Sequence, residues 1–160
     1  MIYKLLPLFL LGLLSGCAST PDFDTTLVDL TLTPQSVIAE SDSSHGKTIL
    51  WGGTILDTRN LKESTRFEIL AYPLDKSHRP LLDKKPLGRF IVQHDGYLEP
   101  STYAPGRLLT ALGKISTTQS GKVGESEYTY AVITYTRLHL WSLDSARNKT
   151  SFHFGVGIGL

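Results

Sequence analysis

The sequence has little cysteine, little methionine and no excess of charge of either sign. Its 160 residues include one cysteine and one methionine, and 16 Lys and Arg against 15 Asp and Glu leave a formal charge of +1. A single cysteine excludes an internal disulfide. Because nucleic-acid binding depends on neutralising phosphates, the missing basic excess predicts no nucleic-acid partner. The length is that of one domain, which excludes a large multidomain enzyme, and the 41% hydrophobic content excludes an intrinsically disordered chain.

Long hydrophobic runs are also missing, apart from a short run near the N-terminus. Ten residues from Leu5 to Leu14 follow the positive Lys4 and precede the small residues Ser15 and Gly16. As a helix this run would cover about 15 Å, half of the roughly 30 Å hydrocarbon core, so it does not predict a permanent transmembrane helix. A positive start, a short apolar centre and small closing residues instead predict an export signal over residues 1–16.

The single cysteine indicates the type of signal. Leu14-Ser15-Gly16-Cys17 resembles the lipobox of bacterial lipoproteins. In such signals a diacylglycerol is attached to the cysteine sulfur, the preceding peptide is removed, and the freed amine is then acylated. Since each buried methylene contributes about 0.8 kcal/mol, two or more chains anchor a protein stably. We therefore expect lipid attachment at Cys17, with this covalent lipid and no other cofactor. Ala18, in place of the aspartate typical of inner-membrane retention, indicates the outer membrane.

The mature chain divides by composition into a polar segment and a β-rich segment. Residues 17–46 are rich in Ser, Thr, Asp and Pro, which predicts a lipid-anchored tether. Within that segment, Leu27 and Leu30 indicate a short helical turn or an extended strap that docks on the core. Residues 47–160 are predicted to form the folded domain.

Apolar and polar residues alternate along several short stretches of residues 47–160, which is typical of strands. The predicted strands are Thr48–Thr58, Thr65–Tyr72, Gly88–His94, Arg107–Thr117, Glu127–Trp141 and Ser151–Leu160. Their number and spacing predict an all-β fold, a small OB-like barrel of five to six strands that includes an extra C-terminal strand. That last strand carries glycines on one face and apolar residues on the other. We expect it to pack on the core, with pairing to a partner or contact with the membrane as alternatives.

No pattern of reactive side chains predicts an enzyme. The five histidines are too far apart along the chain for a zinc motif, and no G-x-S-x-G motif supports a serine hydrolase. His94, Asp95 and Glu99 lie close enough for a metal or acid–base site, but Asp95-Gly96 is more typical of a turn. We therefore predict neither a catalytic residue nor a metal ligand.

Two arginines are the stronger candidates for specific interactions. Arg89 follows a glycine, and Arg107 follows Pro105-Gly106. We expect each to pair with a carboxylate such as Glu68 or Glu99 and to hold strands in register. In the alternative interpretation the arginines bind an anionic ligand, a cell-wall carboxylate or a lipid phosphate, beside Trp51 and Tyr103.

The residues from Gly46 to Trp141 resemble the Slp family of outer-membrane lipoproteins, which is named for starvation induction. The resemblance depends on Trp51-Gly52-Gly53, Asn60, Thr65, Phe67-Glu68, Pro73-Leu74, Arg79-Pro80, Gly88-Arg89-Phe90, Gly96-Tyr97-Leu98-Glu99-Pro100, Tyr103, Pro105-Gly106-Arg107, Gly113, Gly124 and Leu140-Trp141. It implies lipidation, an outer-membrane location and a stress-linked role in the envelope, with no catalytic site.

These observations favour a non-catalytic lipoprotein of the outer membrane that binds an envelope protein or cell-wall partner or stiffens the membrane. The first alternative is an OB-like module that binds an oligosaccharide or lipid headgroup through Trp51, Arg89, Tyr103 and Arg107. A small membrane-spanning β-barrel and a hydrolase are weaker alternatives. Charged residues within the predicted strands, such as Asp57 and Arg66, argue against a spanning barrel.

Overall fold

The computed structural model describes residues 21–142, which form two short helices and five strands. The elements are α1 (Pro34–Ala39), α2 (Ser41–Ser44), β1 (Thr48–Asn60), β2 (Ser64–Tyr72), β3 (Arg89–Asp95), β4 (Leu108–Val123) and β5 (Ser126–Leu140). The strands close into a barrel in the order β1-β2-β3-β5-β4, with β4 paired back to β1. All pairs are antiparallel except β3 with β5, which is parallel over Phe90–Gln93. The predicted all-β, OB-like barrel is confirmed.

Alternating side chains fill the interior of the barrel. On β2, Phe67, Ile69 and Ala71 are buried, whereas Arg66 and Glu68 point to the outer face. The inward side chains of all five strands form one cluster, with Ile49, Trp51, Ile55, Phe67, Ile69, Ala71, Phe90, Val92, Leu109, Ala111, Ile115, Ala131 and Ile133. Because the core is packed with apolar side chains, its burial is the main favourable contribution to folding.

The N-terminal segment packs at one end of the barrel. Helix α1 begins after Thr33, whose hydroxyl accepts a hydrogen bond from the Ser36 backbone N–H, and Val37 is fully buried in the barrel core. The Trp51 indole N–H donates to the Leu32 carbonyl oxygen at 2.8 Å. Residues before β1 therefore contact the core directly, through Leu32 and Val37, whereas Leu27 and Leu30, on which the predicted strap was based, are exposed.

The loop between β3 and β4 covers the other end. Leu98 and Tyr103 pack against the core, and the Thr58 hydroxyl donates to the Tyr103 carbonyl oxygen at 2.7 Å. Thr65, which is fully buried, accepts from the Leu98 backbone N–H at 2.9 Å. These hydrogen bonds hold the loop at the edge where β1 ends and β2 begins.

The main difference from the predicted strands is the length of β4. It continues to Val123 instead of ending at Thr117, because Gly121 and Lys122 stay in the ladder with β5 up to a turn at Gly124. The predicted strand Ser151–Leu160 lies outside the described residues. None of the helices within residues 21–142 has the length and apolar content needed to cross a bilayer.

Candidate binding cleft

A polar cleft of about 220 Å³ opens on the outer face of β1 and β2, beneath the long β4–β5 hairpin. Its lining residues come from four strands, β1, β2, β4 and β5, the last two being the arms of the hairpin. They are Asp57, Arg59, Arg66, Glu68, Gln119, Ser120, Gly121, Lys122 and Tyr130. Since the side chains on this face alternate with those of the core, the cleft lies directly outside the barrel wall.

The hairpin curves over the outer face because an apolar cluster lies beneath it. Ile91, Tyr130 and Val132 are buried there, and Val123 and Tyr128 pack against them. Gly121 permits the close approach, since a Cβ atom at that position would lie 2.9 Å from Cε2 of Tyr130. Two irregularities in the β4–β5 register, between Leu112 and Gly113 and between Ile115 and Thr117, add curvature to the hairpin.

A hydrogen-bonded group joins the base of the cleft to the neighbouring strands. Arg89 Nη1 donates to Glu68 Oε1 at 2.7 Å, and the Tyr130 hydroxyl lies 3.2 Å from the same oxygen. The hydroxyl also lies 3.1 Å from the Lys122 carbonyl oxygen. Burial, followed by the negative charge of Glu68, raises the pKa of Tyr130 above its ordinary value. Tyr130 therefore stays a neutral donor at the base of the cleft.

Two of the cations in the cleft have no acidic partner among the described residues. Arg59 forms an ion pair with Asp57, and Arg89 forms an ion pair with Glu68. Arg66 and Lys122 form no ion pair with any of residues 21–142. The side chains of Gln119 and Ser120, both exposed, add an amide and a hydroxyl group to the same cleft. The cleft thus combines two uncommitted positive charges with neutral hydrogen-bonding groups.

The structure places the predicted binding residues apart from one another. Trp51 is 5% exposed and faces Phe90 edge-on inside the barrel, with ring centroids 5.3 Å apart. Tyr103 packs against Phe67 at a centroid separation of 5.1 Å. Neither ring lines the polar cleft, and the two do not form a common site. Cys17 lies outside the described residues.

The two arginines predicted to pair with carboxylates behave differently. Arg89 pairs with Glu68, and this diagonal contact joins β3 to β2. Arg107 instead donates to the carbonyl oxygens of Thr102 and Trp141, each at 3.0 Å. Its guanidinium group therefore fixes the loop before β4 to the end of β5.

The alternative metal or acid–base site at the end of β3 is not assembled. His94 Nδ1 bonds the Tyr135 hydroxyl, whereas Glu99 accepts from the hydroxyl of Tyr97 at 2.9 Å. Residues 21–142 contain no cluster of three or more His, Cys, Asp or Glu side chains able to hold a metal ion.

Comparison with known proteins identifies the family. Residues 14–156 match the model of the outer membrane lipoprotein Slp family. The chain belongs to this family. It is therefore an outer-membrane lipoprotein of the cell envelope, as the resemblance of its motifs implies.

Two relatives have similar sequences. An uncharacterized protein of Haemophilus influenzae Rd is 33% identical over 102 residues, which are 63% of this Slp-family chain and 55% of the relative. The uncharacterized lipoprotein YeaY of Escherichia coli K12 is 31% identical over 135 residues, 82% of this chain and 68% of the relative. The chain thus spans little more than half of the first relative's length.

Among solved structures, a small single-stranded DNA-binding protein from Streptomyces coelicolor matches with a TM-score of 0.39 and 16% identity. The match covers 63% of this Slp-family chain and 98% of the other chain.

Two of the residues that carry the family resemblance, Trp141 and Arg79, hold a loop onto the barrel. The Trp141 indole N–H donates to Thr110 Oγ1 at 3.0 Å, and that hydroxyl donates to the His78 carbonyl oxygen at 2.7 Å. The guanidinium carbon of Arg79 lies 5.3 Å from the Trp141 ring centroid. The loop between β2 and β3 is fixed in this way to the outer face of β4.

Proposed function

We propose that this lipoprotein is a non-catalytic binding module, anchored through lipid on Cys17, whose polar cleft takes an anionic ligand rich in hydroxyl groups. Such ligands include acidic or phosphorylated saccharides and the phosphate headgroups of lipids. The observation that carries the proposal is the pair of uncommitted cations, Arg66 and Lys122, in a cleft that also offers neutral donors.

The chemistry of the cleft favours a charged, hydroxyl-bearing ligand over an apolar one. An arginine guanidinium can bind a carboxylate or phosphate through two parallel hydrogen bonds, and a lysine supplies a second, mobile charge. Gln119 and Ser120 can donate to and accept from hydroxyl groups. OB-like barrels commonly bind oligosaccharides and oligonucleotides on the face of strands 2 and 3 and the adjoining loops, and the cleft borders this region through Arg66 and Glu68 on β2.

Binding can be tested with two defined probes, muropeptides from bacterial cell wall and glycerol 1-phosphate. Titration calorimetry with the full chain should show binding that Arg66→Gln and Lys122→Gln each weaken by a factor of about ten to a hundred, since a hydrogen bond to a charged group contributes about 1.5–3 kcal/mol. Lys114→Gln is the matched control, because Lys114 is exposed on the same strand and does not line the cleft.

The two probes separate the sources of the ligand. Binding of muropeptides alone would indicate the cell wall, and binding of glycerol 1-phosphate alone would indicate a lipid headgroup. No binding of either probe, or equal losses in the cleft variants and the control, would contradict the proposed cleft.

The anchor is tested separately by the substitution Cys17→Ala in the mature chain, residues 17–160, exported behind a leader whose cleavage does not depend on lipid attachment. Because the acyl chains supply the membrane affinity, the variant is expected in the soluble fraction of the envelope after fractionation. Mass spectrometry of the native protein should show a thioether-linked diacylglycerol at position 17, and an unmodified sulfhydryl would contradict lipid anchoring. The stress-linked role that the family resemblance implies stays a prediction, which the growth of a deletion strain under starvation would test.

A further inference from the structure

The segment before α1 exposes leucines near the predicted lipid. We call residues 21–33 the strap. Leu27 and Leu30 on the strap are 83% and 73% exposed, the largest values among the exposed large apolar side chains of residues 21–142. Leu30 also borders an apolar groove lined by Leu32, Leu50, Leu74 and Leu87. Exposed apolar area of this kind marks a surface that contacts a partner or a membrane.

The strap is held on the barrel at points on both sides of these leucines. Phe23 is 5% exposed, and its ring meets the His78 ring edge-on at a centroid separation of 5.7 Å. Further along, the Asp29 backbone N–H donates to the Thr48 carbonyl oxygen at 2.9 Å. The contact of Trp51 with the Leu32 carbonyl follows. Leu27 and Leu30 are therefore presented outward by a fixed segment.

The distance from the lipid limits where this surface can lie. Phe23, which is buried, follows Cys17 by six positions, with five residues between them. A fully extended chain covers at most about 3.3–3.6 Å per residue, so the backbone of Phe23 lies within about 22 Å of the backbone of the lipidated Cys17. Thr48, whose carbonyl oxygen holds the strap at Asp29, begins β1, whereas Asp57 in the polar cleft lies near the other end of the same strand. The strap end of the barrel is thus the end next to the bilayer.

We infer that Leu27 and Leu30 insert into the lipid surface and fix the orientation of the barrel on the membrane, with the polar cleft at the end away from it. This inference rests on lipid anchoring at Cys17. Two leucines enter only the interfacial layer, because Asp24 and Asp29 lie beside them. Hydrogen bonds from Thr26 and from Thr31 hold the pKa of these carboxyl groups below the ordinary value, so both stay charged and at the water boundary.

The test uses the lipidated full chain in vesicles of phosphatidylethanolamine and phosphatidylglycerol. An environment-sensitive fluorophore is attached to Leu30→Cys or, as the matched control, to Leu61→Cys. Leu61 is 55% exposed and follows β1 directly, at the end remote from the strap. The sulfur of Cys17 carries lipid and does not react with the label. We expect a blue-shifted label at position 30, quenched several-fold more by lipid-borne quenchers than the label at position 61.

Equal quenching at positions 30 and 61 on membrane-bound protein would overturn the inference while leaving the anchor intact. A shift at position 30 that depends on protein density, and not on the lipid quencher, would indicate a second copy of the chain and would also overturn it. If the full chain did not bind the vesicles at all, that result would contradict lipid anchoring at Cys17.

A second measurement leaves the strap unlabelled. Amide hydrogen exchange over residues 26–31 should be several-fold slower in the vesicle-bound protein than in Cys17→Ala in solution. The substitution of both Leu27 and Leu30 by serine, in the lipidated protein, should abolish this protection without releasing the protein from the vesicles. Protection that survives the double substitution would contradict a role for the two leucines.

Discussion

Glu68 Oε1 accepts a hydrogen bond from Arg89 Nη1 at 2.7 Å, and this ion pair joins β2 to β3 beneath the polar cleft. Both side chains are less than one-third exposed, at 20% for Glu68 and 29% for Arg89. The pair is therefore less screened by water than the other ion pairs of the described residues.

Removal of the charge on Glu68 should destabilise the barrel. Because Glu68→Gln leaves Arg89 partly buried beside a neutral group, we expect a loss of about 1–3 kcal/mol in the free energy of unfolding. Urea denaturation followed by circular dichroism measures it. Arg59→Gln breaks an ion pair in which the arginine is 74% exposed and should cost less than about 1 kcal/mol. Equal losses in the two variants would show that burial does not strengthen the Glu68–Arg89 pair.

The raised pKa of Tyr130 predicts a loss of stability in alkali. Below the ordinary tyrosine pKa, near 10, the phenol is neutral in both the folded and the unfolded state, and its contribution is fully present. At higher pH the unfolded chain loses the proton first, so stability falls as the pH rises through the folded pKa. Urea midpoints at increasing pH measure this effect, which should be smaller in Tyr130→Phe. A remaining decrease is expected, because burial also raises the pKa of Tyr135.

The lowered pKa of His139 predicts a loss of stability in acid. Burial, followed by the positive charge of Arg137, lowers the pKa of His139 below its ordinary value of 6.5. The unfolded chain therefore binds a proton more readily, and stability should fall as the pH drops through 6.5 to the folded pKa. The free energy of unfolding measured at several pH values should show a shallower decrease in His139→Gln. An unchanged pH dependence in that variant would contradict the assignment to His139.

Two glycines differ in how much they tolerate a side chain. A Cβ atom on Gly53 would lie 1.9 Å from the Leu70 carbonyl oxygen, which is fixed in the sheet. We expect Gly53→Ala to cost more than about 3 kcal/mol, because overpacking against movable side chains alone costs about 1–3 kcal/mol. Gly121→Ala should stay within that smaller range, since it meets the edge of the Tyr130 ring. Thermal unfolding compares the two variants, and a larger effect at Gly121 would contradict this order.

Much of the fold follows from the sequence because alternation is a local signal. The pattern around Phe67 and Ile69 predicts both the strand and its inward face. The sequence does not predict where β4 ends, because Gly121 and Gly124 are equally typical of a turn. Only the packing of Tyr130 against Gly121 shows that the first of them remains in the ladder.

The candidate cleft could not be predicted from the sequence. Its charged residues come from separate strands, as Asp57, Arg66 and Lys122 do. They come together only because the folded β4–β5 hairpin curves over the barrel. The one local signal was the presence of charged residues, including Asp57 and Arg66, within predicted strands. The partners of Arg107 could not be predicted from the sequence either, because they are backbone carbonyl groups whose positions depend on the folded loops.

The parallel pairing of β3 with β5 is one of the strand contacts that close the barrel. This contact covers only Phe90–Gln93 and unites segments about forty residues apart in the chain, whereas β4 and β5 meet through a local turn. Local contacts form sooner than distant ones, since less entropy is lost in closing the loop. Together with the β1–β4 contact, which joins segments still farther apart in the chain, the β3–β5 contact is therefore expected to form after the local β4–β5 hairpin, so the margins of β1 and β3 stay exposed longest while the newly exported polypeptide folds.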